Sequence, residues 1–309
     1  LLFLPAGHHV LIFGVYVTDI DTDIGTDKAT NRKAINRFIK RMPSLSTTTG
    51  KVLEICSRTD ASPNELNKVI SLDPVLTGQV LKLINSAYYS LVSKVTSLTR
   101  AITMLGMNTV KNMALSSAII RSVSGAKKSQ ALPTKKFWAH SIGTGVCAKL
   151  LAKANGVPIM ECEEYFVAGL LHDLGKIPFG DEYIEVLHKA TEEQRSLVDI
   201  EHEILGVDHQ EIGKLIAEKW KLNEAMTGAI AFHHDVEAAP EEQRVLAAYV
   251  GLANIYTNIL EFGYAGDPFP DMSTVPMMLE LTGLEWGMFS EIAESVDEEI
   301  QKAQIFLQI

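Results

Sequence analysis

The chain has 309 residues, of which 47% are hydrophobic and 21% charged, with a net charge of -10. That length can bury a full core without disulfide staples, and the balance excludes an intrinsically disordered chain. The negative charge argues against a general binder of nucleic acid or of anionic membranes, so neither is expected as a partner.

Leu1 to Val17 is apolar but interrupted by Gly7-His8-His9, carries no basic leader and is short for a membrane span. Val10 to Val17, rich in β-branched and aromatic residues, predicts a short strand. Residues 1–28 are therefore expected to form an N-terminal extension, to which no role is assigned. Cys56, Cys147 and Cys162 are odd in number and widely spaced, which predicts reduced core residues in a cytoplasmic protein.

Beyond residue 28 the pattern is helix after helix. Ser62-Pro63-Asn64-Glu65 is a capping box with proline at the first helical position. Asp73-Pro74 repeats the device and opens a helix from Val75 to Asn85. Gly106 marks a break, and Asn108 is expected to cap a helix running to Ile120. Small, polar and basic residues from Ser124 to Ser129, with Pro133 soon after, predict a surface connection between two lobes, 29–130 and 131–309. In the second lobe a long helix is expected from Phe137 to Ala154, with Trp138, Ile142, Val146 and Leu150 as its buried stripe. Another runs from Cys162 to Asp173. Asp208-His209-Gln210-Glu211 is a third capping signature, which puts His209 in the first turn of a helix ending near Trp220. Helices follow over Ala225 to His234 and Glu241 to Phe262, and two more close the chain. The fold class expected is all-α, a two-lobed helical bundle.

The chemistry concentrates in Leu170-Leu171-His172-Asp173-Leu174-Gly175-Lys176. A buried charged pair in an apolar segment needs a partner, and a divalent metal serves well. His140, His209, His233 and His234 are placed to complete a shell. A lone histidine on an apolar face is ordinarily a hydrogen-bonded core residue, but a set of five that includes a His-Asp doublet points to a metal site. On one continuous helix His172 and Asp173 would point about 100° apart, so a cluster would have to sit between them, with Asp173 able to bridge two ions. A helix N-terminus would keep His209 neutral and able to ligate, and the next pair would offer one inward ring, His233 or His234. His8, His9, His188 and His202 read as surface or loop residues. Lys176 falls on the face of His172 and Asp173. It is either a contact for a substrate phosphate or an ion-pair partner for Asp173.

These residues resemble the HD superfamily of metal-dependent phosphohydrolases, and more closely the HDOD family, the HD-related output domain of bacterial signalling. The resemblance runs from Phe38 to Phe262. In the first lobe it rests on Met42-Pro43-Ser44-Leu45, Ile70-Ser71-Leu72-Asp73-Pro74-Val75-Leu76, the stretch from Val80 to Tyr89, Val95-Thr96-Ser97-Leu98 and the stretch from Ala101 to Gly106. In the second it rests on Phe137-Trp138-Ala139-His140-Ser141, Gly169 to Lys176, Gly206-Val207-Asp208-His209, Trp220 and His233-His234.

The resemblance implies that His140, His172 and Asp173 hold one ion, and that Asp173, His209 and His233 or His234 hold a second. It also implies departures. Asn254 stands where active HD enzymes have a further aspartate, so it is a neutral candidate ligand and two ions would face one carboxylate. Lys136 stands where HD-GYP proteins often carry a glutamate, and no Gly-Tyr-Pro signature follows His233-His234-Asp235, so cyclic-dinucleotide hydrolysis is not expected. The cofactor expected is one or two divalent transition-metal ions, with iron, manganese, nickel and zinc not distinguished. Two functions compete. The first is a regulatory signalling module that docks a signalling protein. The second is a metal-dependent phosphohydrolase acting on a phosphate-containing ligand, with Asp173 and Lys176 as its candidate catalytic residues.

Overall fold

The computed structural model describes residues 33, 35–36, 45–58, 60–124 and 129–308. The strand expected over Val10 to Val17 and the extension 1–28 lie outside them. Among the described residues there are helices and turns and no strand, as the periodicity predicts. No helix there is long and apolar enough to cross a membrane.

The first helices are α1 (Thr47–Ser57), α2 (Pro63–Ser71), α3 (Pro74–Ile84), α4 (Leu98–Leu105) and α5 (Met107–Ser124). The Ser62 capping box forms in full: the Ser62 hydroxyl accepts from Glu65 N and the Glu65 carboxylate accepts from Ser62 N. Asp73 caps α3 by accepting from the amides of Val75 and Leu76. Asn108 does not cap α5. That helix starts at Met107, because Gly106 at φ 84 both ends α4 and turns the chain directly into the next helix. Helices α1 and α3 pack on α5, which in turn lies against the second half of the chain.

That half begins with α6 (Thr134–Ala154) and α7 (Ile159–Leu171), the most intimate pair in the fold. They cross where Gly145 meets Gly169. A Cβ on Gly169 would sit 2.7 Å from Gly145 Cα, so only glycine lets the backbones come this close. Trp138, Ile142 and Val146 of the expected α6 stripe are buried, whereas Leu150 is half-buried. A 3-10 segment (Leu174–Glu182) leads to α8 (Tyr183–Glu193), α9 (Leu197–Leu205), α10 (His209–Lys219), α11 (Glu224–Phe232) and α12 (Glu241–Ile259). Helices α13 (Val275–Thr282) and α14 (Trp286–Ala303) close the fold, α14 packing on α6. One hydrophobic core runs from Ile35 through both halves to Phe306. Cys147 and Cys162 are buried and free within it.

Candidate metal centre

Four elements deliver the site. His140 comes from the middle of α6, five residues before the glycine crossing. His172 and Asp173 follow directly after α7. His209 is the first residue of α10, and His233 and His234 follow the end of α11. His140, His172, Asp173, His209 and His233 are all at most 1% exposed.

The helix expected to continue through Asp173 ends at Leu171, and this shapes the site. The last carbonyls of a helix lack intrahelical donors. His172 Nδ1 lies 2.7 Å from the carbonyl of Gly169, three residues back, and His233 Nδ1 lies 3.0 Å from that of Ile230. A carbonyl only accepts, so Nδ1 carries a proton in both rings and Nε2 is the nitrogen left to face the cluster. His209 reaches the same arrangement differently. Its Nδ1 donates to the Glu201 carboxylate at 2.7 and 3.0 Å, and its backbone N donates to Glu201 Oε2 at 3.1 Å. Tyr183 donates its hydroxyl to that same carboxylate.

Four Nε2 atoms converge on Asp173. Asp173 Oδ2 lies 3.3 Å from His172 Nε2 and 3.9 Å from His140 Nε2. Asp173 Oδ1 lies 3.4 Å from His209 Nε2 and 3.8 Å from His233 Nε2, and those two nitrogens are 3.3 Å apart. Ligand atoms about 2.1 Å from a shared tetrahedral ion stand roughly 3.4 Å from one another. Each carboxylate oxygen thus faces its own group of imidazoles at that spacing. His172 Nε2, Asp173 Oδ1 and His234 Nε2 are buried with no hydrogen-bond partner, a cost that a bound cation removes. The donor set therefore fits a divalent metal.

Electrostatics agree. Burial, reinforced by the charges of His172 and Lys176 respectively, holds His140 and His209 down at about 3. Burial and the neighbouring imidazoles hold His233 and His234 well below the usual histidine value. For His209 burial is the leading cause, and the residue stands in the first turn of α10 as the capping signature predicts. Burial pushes the Asp173 carboxyl up, but His172 and Lys176 together outweigh it and hold the group well below the carboxylate range. Lys176 Nζ is 2.8 Å from Asp173 Oδ2 and fully buried, as in the ion-pair alternative for this residue.

Asn254 projects from α12 to within 3.0 Å of His140 Nε2, so it stands at the site as the resemblance implied. Both rings of the His233-His234 pair, not one, come within ligand spacing of His209. The exposed His188 and the half-exposed His202 pair with Glu192 and Asp208, and Lys136 is exposed. Sequence reasoning missed Glu201 and Asp267, both buried acids near the cluster. The only trace of Glu201 in the sequence is an acid in a helical stripe eight residues before His209.

Buried imidazoles gathered around one aspartate by a helical bundle are the arrangement that the resemblance to HD-type proteins implied. The HDOD domain model matches residues 42–236, and the chain belongs to the HDOD family. An uncharacterized protein of Treponema pallidum (strain Nichols) is 32% identical over 219 residues, 68% of this chain and 42% of that relative, so the chain spans less than half the relative's length. Among solved structures, an HDOD domain protein of unknown function from Geobacter sulfurreducens is 25% identical with a TM-score of 0.73, covering 91% of this chain and 99% of that one. A Shewanella amazonensis SB2B protein provisionally assigned as a phosphohydrolase is 23% identical with a TM-score of 0.67, covering 88% and 98%; it shows the shared fold.

Proposed function

We propose that this chain is a metal-holding regulatory module of signal transduction, whose helical surface docks a signalling protein and whose cation stiffens the junction of α6, α7, α10 and α11. In this reading His140, His172 and Asp173 hold one ion. Asp173, His209, His233 and His234 serve a second, with Asn254 beside the first. A divalent cation, when bound there, supplies a Lewis acid. The chain's residues do the rest: Glu201 and the carbonyls of Gly169 and Ile230 orient three imidazoles, and Lys176 fixes the Asp173 carboxylate.

The observation that carries the regulatory reading is the charge of the cavity beside the cluster. This space of about 430 Å³ is lined by Asp199, Asp235, Asp267 and Asp271 against Arg195, with His234 and Gln210 at the cluster side. Phosphate esters are anions, and such a wall repels them. Lys176, the cation that could have met a phosphoryl group, is buried against Asp173.

A phosphohydrolase is the second reading, favoured by the two oxygens of Asp173 facing two imidazole groups. Generic phosphodiester and nucleotide hydrolysis with added manganese separates the two. Full metal occupancy without turnover is expected. Turnover that Asp173→Ala abolishes would instead establish the enzyme.

A further inference from the structure

For two ions the charge at this centre is short. Asp173 is the one carboxylate amid the imidazoles, and Lys176 already takes its Oδ2. Asn254 brings an amide and no charge. Glu201 is committed through both oxygens to His209 and Tyr183.

Asp267 differs from these. It lies in the loop after α12 and is 5% exposed. The backbone amide of Leu197 lies close enough to offset part of the effect of burial on the Asp267 carboxyl. Its Oδ1 has no hydrogen-bond partner at all, and neither has the buried Nε2 of His234. Both residues line the same cavity of about 430 Å³. An unpartnered carboxylate oxygen and an unpartnered imidazole nitrogen, both buried atoms of side chains that line one cavity, are hard and borderline donors of the kind a divalent ion takes. Burial pushes the Asp267 carboxyl up to about 6, and the charges of Lys176, Asp173 and Glu201 are all close enough to act on it. Asp267 therefore belongs to the electrostatic neighbourhood of the cluster, although it is 94 residues from Asp173 in sequence.

We propose that Asp267 is the second carboxylate of the metal centre: with His234 it holds a divalent cation on the cavity side and supplies the negative charge that Asn254 does not. This rests on the metal-holding reading above. It also gives the acidic cavity a purpose, since a wall that repels phosphate attracts a cation and forms its path inward.

The test is calorimetric titration of chelated protein with Mn2+, comparing the native chain with Asp267→Asn, His234→Gln and His172→Ala. Asp267→Asn is isosteric and removes a buried unpartnered charge, so its melting temperature without metal should equal or exceed the native one. Asp267→Asn and His234→Gln are each expected to weaken at least one Mn2+ step tenfold or more while leaving the His172-dependent step intact. If Asp267→Asn titrates like the native chain while His172→Ala loses binding, this inference is overturned and the metal-holding reading stands. Native protein that takes up no Mn2+ overturns both.

Discussion

Replacing Glu201 by glutamine tests whether the imidazole orientation is built in from outside the cluster. The Glu201 carboxylate accepts from His209 Nδ1, from His209 N and from the Tyr183 hydroxyl, all in a fully buried position. Glutamine keeps one acceptor oxygen. Placed at the Oε2 position, that oxygen still serves both groups of His209, and the new NH2 donates to Tyr183, whose hydroxyl turns to accept. The Tyr183 hydroxyl hydrogen then loses its acceptor in a buried position, at about 1–3 kcal/mol, so the fold should hold with a modestly lower melting temperature. What is lost is the charge behind the imidazole. Loss of such a partner typically weakens metal binding 10- to 100-fold, or about 1.4 to 2.7 kcal/mol. Glu201→Ala, by contrast, strands several buried donors at roughly 1–3 kcal/mol each and should lower stability further. Competition titration of Mn2+ or Zn2+ against a chelator reads the affinity. A Glu201→Gln variant that binds within twofold of native would refute the claim that this carboxylate sets the His209 ligand.

The remaining predictions concern the frame and its protons. His140 and His209 sit at about 3 in the fold against 6.5 unfolded, so the unfolded chain binds more protons as pH falls. Their contribution is complete above pH 6.5 and is lost progressively toward pH 3, on the order of 5 kcal/mol for each. Glu201, raised from 4.5 to about 7, and Asp267, raised from 3.8 to about 6, both by burial, work in the opposite sense: their cost is present at neutral pH and relieved as pH falls through those values. Denaturant midpoints of metal-free protein should thus fall modestly between pH 6.5 and 4.5 and steeply below. A midpoint that rises on acidification would contradict the neutral-imidazole cluster. Gly175→Ala would put a Cβ 1.8 Å from the His209 carbonyl and 2.6 Å from Gly213 N. Because both are backbone, α10 must move and take His209 with it. We expect loss of at least 3 kcal/mol in chemical denaturation together with loss of metal, and a native-like Gly175→Ala protein would show the close approach to be dispensable.

Much of the fold was legible because it depends on local chemistry. Ser62-Pro63-Asn64-Glu65, Asp73-Pro74 and Asp208 announce helix starts through side chains that satisfy free amides, and each does so in the structure. Asn108 misled because a capping residue type was read without its neighbour: Gly106 had already made the turn. The histidines were visible as a set, but their orientation was not. One continuous helix would put His172 and Asp173 on diverging directions. The helix instead stops at Leu171, and the His172 ring satisfies the Gly169 carbonyl that this ending frees. Glu201 and Asp267 escaped notice because nothing in their local sequence marks them. Only the packing of α9 and of the loop after α12 against the cluster gives them a role.

The most direct test of the central claim, that buried imidazoles meet around Asp173 to hold a cation, is elemental analysis of freshly purified native protein beside His172→Ala and Asp173→Ala. The native chain should carry at least one transition-metal ion per molecule, and both variants should carry almost none while keeping native helical circular dichroism. Native protein as poor in metal as the variants would contradict the account.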